Sequence, residues 1–488
     1  MNYGDLLLFL LPETVLLLTA GAVLLVDGKW LCALAPQNRR QGSYDVLVTG
    51  CLLALLASFV ELPQSDPTGM LAGGATTLFF RRVIVVLTVF AGIWSVESDL
   101  GENIGEYCAL LLMAAIGIML MSASQHLLMA FVALEITGVS LYALTGWGRG
   151  RAESAEAGLK YFLFGSTASA LFLYGASLLY GITGHLDFPG ISASLAHTKL
   201  NPALAVAMIL LLAGLGFKVA AVPFHLWAPD VYQGAPTPSA SLIASASKVG
   251  AIALLLRLLV KALPSQIGNA GFHLYTPGWM PIVAFLSTIS MILGSLVALR
   301  QKSVKRLLAY SAISHAGYML IGTLTLAGTN SVIFYVVTYA FAAIGLFGIV
   351  SIVEKNTGGD ALEDWSGLVQ RSPLLAGTAA IFILSMAGIP PLAGFFGKFF
   401  IFAEVLQTPS HPLSLLWLVG IGLAASAVSL YYYLILLKHI FVLSGKNDFS
   451  PMAYLPITKF ALLLLAFLVI ATGLYPRVIL QLLPATIQ

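Results

Sequence analysis

The sequence predicts an all-α polytopic membrane protein that crosses the bilayer about fourteen times, and three observations predict it. First, 59% of the 488 residues are hydrophobic and 9% are charged, whereas about a quarter of a soluble domain is charged. Second, the apolar residues fall in runs of about 20, the length a helix needs to cross a hydrocarbon core. Third, the runs lack the apolar/polar alternation of barrel strands, so their backbone groups must be satisfied within helices.

The runs fall at 5–26, 45–61, 77–96, 106–123, 126–147, 157–182, 202–222, 238–262, 279–299, 304–326, 331–353, 373–406, 413–442 and 457–483. No hydrophilic stretch between them is long enough for a separate soluble domain. The start, Met-Asn-Tyr-Gly-Asp, has no basic region, and Asp5 and Glu13 flank or interrupt the first run. It is therefore expected to be a retained first span, not a cleaved signal. The net charge of +3 is small and scattered, which gives no footprint for nucleic acid. Cys32, Cys51 and Cys108 form no CxxC and no metal-ligand spacing, so neither a disulfide framework nor an iron–sulfur site is expected.

Basic residues orient the bundle. One set of loops carries Lys29, Arg39, Arg40, Arg149, Arg151, Arg300, Lys302, Lys305, Arg306, Lys355, Arg371, Lys438 and Lys446. The other carries Arg81, Arg82, Lys199, Lys261 and Arg477. The rich set is expected in the cytoplasm, which puts both termini outside. Arg81 and Arg82 run against this bias.

Two runs are interrupted. The seventh reads GLGFKVAAVPFHLWAPDVYQGAPTP from Gly214, and the twelfth reads SMAGIPPLAGFFGKFF from Ser385. Proline removes a helix donor and clashes with the preceding turn, so both helices should break near mid-membrane. Paired interruptions of this kind point to a transport site. The broken run is fourth in each of two five-run units, 106–262 and 279–442. Five is odd, so the second unit starts from the opposite face and the repeat is inverted. Residues 1–105 form three preceding helices and 443–488 a closing one.

Four ionisable residues lie deep in these runs: Glu135, Lys218, Lys248 and Lys398. Each isolated charge costs about 2.5–3.5 kcal/mol at such depth. They are expected to face one another or internal water, as a chain across the bundle. Withdrawal from water favours release of an ammonium proton, and a nearby carboxylate favours its retention. A carboxylate moving relative to a buried amine therefore switches it between holding and releasing a proton. The plain alternative is that such groups are structural ion pairs. His225, His315 and Glu404 are further candidates, read either as packed hydrogen-bonding groups or as relay members. Glu156 and Lys160, one turn apart, read as a local ion pair. Glu13 and Glu106, near helix ends, read as solvated, and Tyr431-Tyr432-Tyr433 as packing or interfacial belt. Gly214-Leu215-Gly216 lacks the strand and full glycine pattern of a nucleotide site. The residues suggest no redox centre in this chain.

The blocks GLGFKVAAVPFHLWAPDVYQGAPTPSASLIASASKVG, KRLLAYSAISHAGYML and SMAGIPPLAGFFGKFF resemble the antiporter-like subunits of respiratory complex I over about two thirds of the chain. Within that family the N-type subunits of bacterial NADH:quinone oxidoreductase are the nearest match. Lys398 stands where the M-type tends to carry glutamate, and the sequence ends just after the fourteenth run, whereas the L-type is expected to continue into a long lateral helix. The resemblance implies a proton channel in a membrane arm, with Glu135 as coupling glutamate, Lys218 as its partner, Lys248 as central relay and Lys398 as exit-side lysine. It also implies a bacterial inner membrane and partner subunits that carry FMN, iron–sulfur clusters and quinone. The same fold serves multisubunit cation/proton antiporters and membrane-bound hydrogenases, and photosynthetic relatives sit in thylakoids. A structural membrane anchor is the remaining alternative.

Overall fold

The computed structural model describes residues 3–31, 36–60, 66–148, 150–271, 274–325, 329–407, 414–444 and 451–483. Cys32, Arg149 and Lys446 lie outside the described residues. Among the described residues the chain is helical, with only isolated β-bridges. After a short helix at Tyr3–Phe9 come α1 (Leu11–Leu25), α2 (Pro36–Ala57), α3 (Ala75–Glu97), α4 (Ile104–Ala123), α5 (Leu127–Thr145) and α6 (Ala152–Thr183). Next are α7 (Pro202–Val219), α8 (Trp227–Gly234), α9 (Thr237–Ala244), α10 (Ala246–Arg257), α11 (Trp279–Ala298), α12 (Val304–Gly322) and α13 (Thr329–Thr357). The last are α14 (Pro373–Ala387), α15 (Ala393–Leu406), α16 (Leu416–Phe441) and α17 (Pro456–Leu474).

Eleven of the described helices are long and apolar enough to cross a membrane. The other expected crossings fall short for identifiable reasons. Helix α2 starts in the polar run Gln37-Asn38-Arg39-Arg40-Gln41, and α12 carries Lys305, Arg306 and His315. The twelfth run is divided into α14, of 15 residues, and α15, of 14.

Helix α13 is the central strut. Its apolar window is buried throughout, and it packs against α3, α9, α10, α12, α14, α15 and α17. A helix apolar on every side is a core helix, and α13 is apolar from Val332 to Val353 apart from threonine, serine and tyrosine hydroxyls. Helices α6, α16 and α17 lie at the periphery, where Leu163, Tyr174, Leu423 and Phe467 are exposed.

The chain leaves the helix at both interrupted runs. Helix α7 closes at Val219, and Ala220 caps it in the left-handed region at φ 62°. Helix α14 closes at Ala387, and Gly388 takes the same role at φ 87°. A third break falls at Ser245, between α9 and α10, with φ −113° and ψ −84°. The sequence predicts one uninterrupted span over 238–262; no proline or inward glycine marks the position of the break, only the serine-rich stretch around it.

Glu13 corrects another expectation. It is 4% exposed, not solvated, and its Oε1 lies 2.7 Å from Nε of Arg81, itself 1% exposed. Arg81 and Arg82 also sit inside α3. Arg82 turns back onto the carbonyl of Ser58 at 2.7 Å and lies 4.0 Å over the Phe59 ring. Neither lies in a loop: both are helix residues held by groups of the protein. Glu106 is exposed, as expected.

Candidate functional site

Glu135 is presented by α5 and Lys218 by the last turn of α7, just before the chain leaves the helix at Ala220. The glutamate is half-buried and the lysine 3% exposed. The Glu135 charge acts on Lys218, and the two are further apart than a 4.0 Å salt bridge. The Lys218 Nζ lies 6.0 Å from the centre of the Tyr161 ring. That ring stacks on Trp227 of α8 at 4.5 Å and 13°. The Trp227 indole N–H donates to the Phe217 carbonyl at 3.0 Å, so the tryptophan ties α8 back to the helix that holds the lysine.

Lys248 lies three residues beyond the Ser245 break and is 1% exposed. Its Nζ donates to the Ala312 carbonyl of α12 at 2.5 Å and stands 5.6 Å from the centre of the Tyr339 ring. Tyr339 packs at 4.8 Å on His315, which is 2% exposed. The His315 ring nitrogens pair with two phenols, Nδ1 with Tyr335 at 2.7 Å and Nε2 with Tyr433 at 3.2 Å. Tyr433 in turn pairs with the Ser311 hydroxyl at 2.5 Å. On its other side His315 packs on Tyr318 at 5.8 Å, and the Tyr318 ring lies 5.0 Å from the Lys398 Nζ, so aromatic rings link the imidazole to both lysines.

Lys398, on α15, closes the series. Its ammonium donates to the last carbonyls of α14, Met386 at 3.3 Å and Ala387 at 3.1 Å, and to the Ser426 hydroxyl at 3.0 Å. Carbonyls at a helix C-terminus have no partners within the helix and carry the negative end of its dipole. The break after Ala387 therefore creates the acceptors that a buried cation needs. Lys398 also borders an apolar cavity of about 630 Å³ between α15 and α16.

A polar cavity of about 560 Å³ opens where α3 and α13 end. Glu97, Asp99, Arg151, Thr237, Glu354 and Lys355 line it. Glu354 accepts from Lys305 at 2.9 Å and from Thr237, the first residue of α9, at 2.5 Å. Glu97 accepts from Lys355 and Thr458, each at 2.7 Å. Beside it, Lys160 bonds Glu156 at 2.6 Å and Asp230 at 2.7 Å, and Asp230 also holds Arg306 at 2.7 Å. The local Glu156–Lys160 pair is thus one end of a network joining α6, α8 and α12.

Two candidates stand apart. His225 lies in the segment between α7 and α8, 7% exposed, with Nδ1 lacking a protein partner. Glu404 lies near the end of α15, half-buried beside Ser331, with Oε2 unpartnered. The sequence reading missed the phenols around the lysines. Tyr335 and Tyr339 are one turn apart on α13, a spacing equally expected of core packing. Tyr433 belongs to the buried site, whereas its neighbour Tyr431 is 62% exposed. Among the described residues, no three His, Cys, Asp or Glu side chains gather closely enough to hold a metal.

Fold and site together define a multi-pass helical membrane protein with amine, carboxyl and imidazole groups buried in series. The family model described as NADH:quinone oxidoreductase/Mrp antiporter, TM, matches residues 124–429, and the chain belongs to that family. The chain is 40% identical over 491 residues to NADH-quinone oxidoreductase subunit N 2 of Acidobacterium capsulatum, covering 98% of this chain and 99% of the relative. It is similar to a chain of respiratory complex I from Thermus thermophilus, with 33% identity, a TM-score of 0.78 and coverage of 96% and 98%. It is also similar to a chain of the membrane-bound sulfane sulfur reductase, an archaeal respiratory membrane complex, with 26% identity, a TM-score of 0.82 and coverage of 98% and 96%.

Proposed function

We propose that this chain is a proton-translocating membrane-arm subunit of an NADH:quinone oxidoreductase, working beside other membrane and peripheral subunits. The observation that carries the reading is the buried series Glu135, Lys218, Lys248, His315 and Lys398, in which His315 packs on Tyr339, the ring beside Lys248, and on Tyr318, the ring beside Lys398. The near full-length likeness to a relative named as a subunit of that enzyme favours it over a free-standing antiporter. In this reading the electron carriers, FMN, iron–sulfur clusters and quinone, belong to partner subunits, and quinone reduction there drives the chain.

Within this reading the chain makes fourteen passes through a bacterial inner membrane, with both termini on the periplasmic face. Residues 1–105 form three leading helices, 106–262 and 279–442 are two inverted five-pass units, and 443–488 hold the last pass. Helix breaks at Ala220 and Gly388, fourth in each unit, support the repeat. The cavity beside Glu97 and Glu354 is the cytoplasmic mouth. Glu135 controls Lys218 by approach and withdrawal. Lys218 and Lys248 hold protons in turn, His315 passes them on, and Lys398 releases them toward the outer face past Glu404. His225 is a lesser member of the path. An amine suits this role because it can hold or release a proton, and because it is a point charge whose hold on that proton responds to a moving carboxylate.

The test is purification of the tagged chain from native membranes. Flavin and iron–sulfur subunits are expected to accompany it, and NADH-driven acidification of vesicles to vanish in Lys248→Met. A complex without redox subunits would return the chain to the antiporter class. Undiminished pumping by Lys248→Met would leave the anchor reading.

A further inference from the structure

We propose, resting on the relay reading above, that the hydroxyl of Tyr232 carries the proton across the gap between Lys218 and Lys248. The two stretches of the series are furnished differently. Between Lys248 and Lys398 stands His315, hydrogen-bonded to the phenols of Tyr335 and Tyr433. From Lys218 toward Lys248 the side chains in ring contact are aromatic. Tyr161 faces Lys218, Trp227 stacks on Tyr161, and Tyr232 meets Trp227 at 6.5 Å. Tyr232 reaches Phe347 of α13 at 5.7 Å, on the helix that also bears Tyr339 over Lys248. Tyr232 thus packs between Trp227, which stacks on the ring facing Lys218, and α13, the helix whose Tyr339 faces Lys248.

The hydroxyl itself makes the case. Tyr232 and Tyr161 are both 0% exposed, and neither hydroxyl has a protein hydrogen-bond partner. Buried polar atoms are nearly always satisfied, and an orphan asks for an explanation. A phenylalanine at either position would fill the same apolar space without that cost. A phenol, by contrast, donates and accepts at one oxygen. One water molecule on either side of Tyr232 completes the step. The Lys218 ammonium protonates the first water, and that water passes its extra proton to the phenol oxygen. The phenol releases its own proton through the second water to the neutral amine of Lys248. Lys218 ends neutral, Lys248 ends charged, and the phenol has exchanged one proton for another and resets by rotating its O–H bond.

The experiment compares Tyr232→Phe with Thr76→Val in the whole complex, reconstituted in liposomes. Thr76, in the first turn of α3, is also buried with an unpartnered hydroxyl, and its neighbour Thr77 accepts from Arg257, at the end of α10 opposite to Lys248. Both variants are expected to assemble fully and to reduce a hydrophilic artificial acceptor from NADH at the parent rate. Tyr232→Phe is expected to slow NADH-driven acidification by about tenfold or more, the scale of losing a proton-transfer group, while Thr76→Val leaves it unchanged. Acidification by Tyr232→Phe within about twofold of the parent overturns the proposal. So does failed assembly of that variant, because the hydroxyl would then be structural. Lys218→Met and Lys248→Met in the same preparation separate the two ideas. If both pump normally the relay reading itself falls, and if both fail while Tyr232→Phe pumps, only the role of Tyr232 falls.

Discussion

A charged side chain withdrawn from both water and lipid must find its opposite, and Glu13 with Arg81 does so at 2.7 Å. Removing one member of such a pair strands the other, at about 3–5 kcal/mol, whereas replacing both by apolar residues of similar bulk is often close to neutral. Arg81→Met is therefore expected to lower the unfolding temperature and yield of the assembled complex, and Glu13→Leu/Arg81→Met to restore most of both. The buried lysines of the proposed relay call for a different substitution. Lys218→Arg keeps a positive charge beside Glu135 but cannot let its proton go. It is expected to assemble normally and to lose NADH-driven acidification, and normal pumping by this variant would count against the relay. The four deep charges were legible in the sequence because a lone lysine or glutamate stands out in an apolar run. The phenols around them were not, because a tyrosine in a membrane helix is equally at home in packing, belt or site. Glu13 was misread for a related reason: its sequence neighbours suggest a helix end, and only the fold brings Arg81 from 68 residues away.

At the scale of elements, the breaks are the informative feature. Those at Ala220 and Gly388 were legible from nearby proline and glycine, whose backbone limits announce a helix end. The one at Ser245 has no such residue; there the serine hydroxyl bonds back to the Ser241 carbonyl at 2.6 Å, a contact that bends helices without announcing itself in the sequence. Both legible breaks close with a left-handed residue, but only one is glycine. An L-residue pays about 1 kcal/mol or more there. Ala220→Gly is expected to raise the thermal stability of the complex by about that amount while leaving pumping intact, as read by thermal unfolding and acidification. Gly388→Ala carries the same strain in reverse. Its added methyl would also lie 3.2 Å from Nζ of Lys398, tighter than ordinary contact. It is expected to impair pumping more than stability, which sets it apart from a change that is only conformational.

For the whole molecule, the count of passes and the orientation admit a direct test. Asp99 lies beside the polar cavity with its side chain 87% exposed, and Tyr275, 68% exposed, lies in the connection between α10 and α11 at the other end of the bundle. Cysteine at position 99 is expected to react with an impermeant thiol reagent only from the cytoplasmic side, and cysteine at 275 only from the periplasmic side. Labelling on the same side would refute the topology. The helical class was legible from composition and run length, since a bilayer allows few other solutions. The polar cavity was not, because Glu97, Thr237 and Glu354 come from three helices far apart in sequence.

The enclosure of α13 bears on how the protein is made. Glu354 needs Lys305 and Thr237, and Tyr335 needs His315, all synthesised earlier. The flank of α13 packed on α14, α15 and α17 is covered only by chain emerging later from the ribosome. This helix therefore waits in a half-built setting, its early contacts made and its later ones pending, until the final span arrives. A chain truncated before residue 456 would keep α14 and α15 but leave the strip of the strut that α17 covers bare to lipid, and its maturation, more than its insertion, would be the step that stalls.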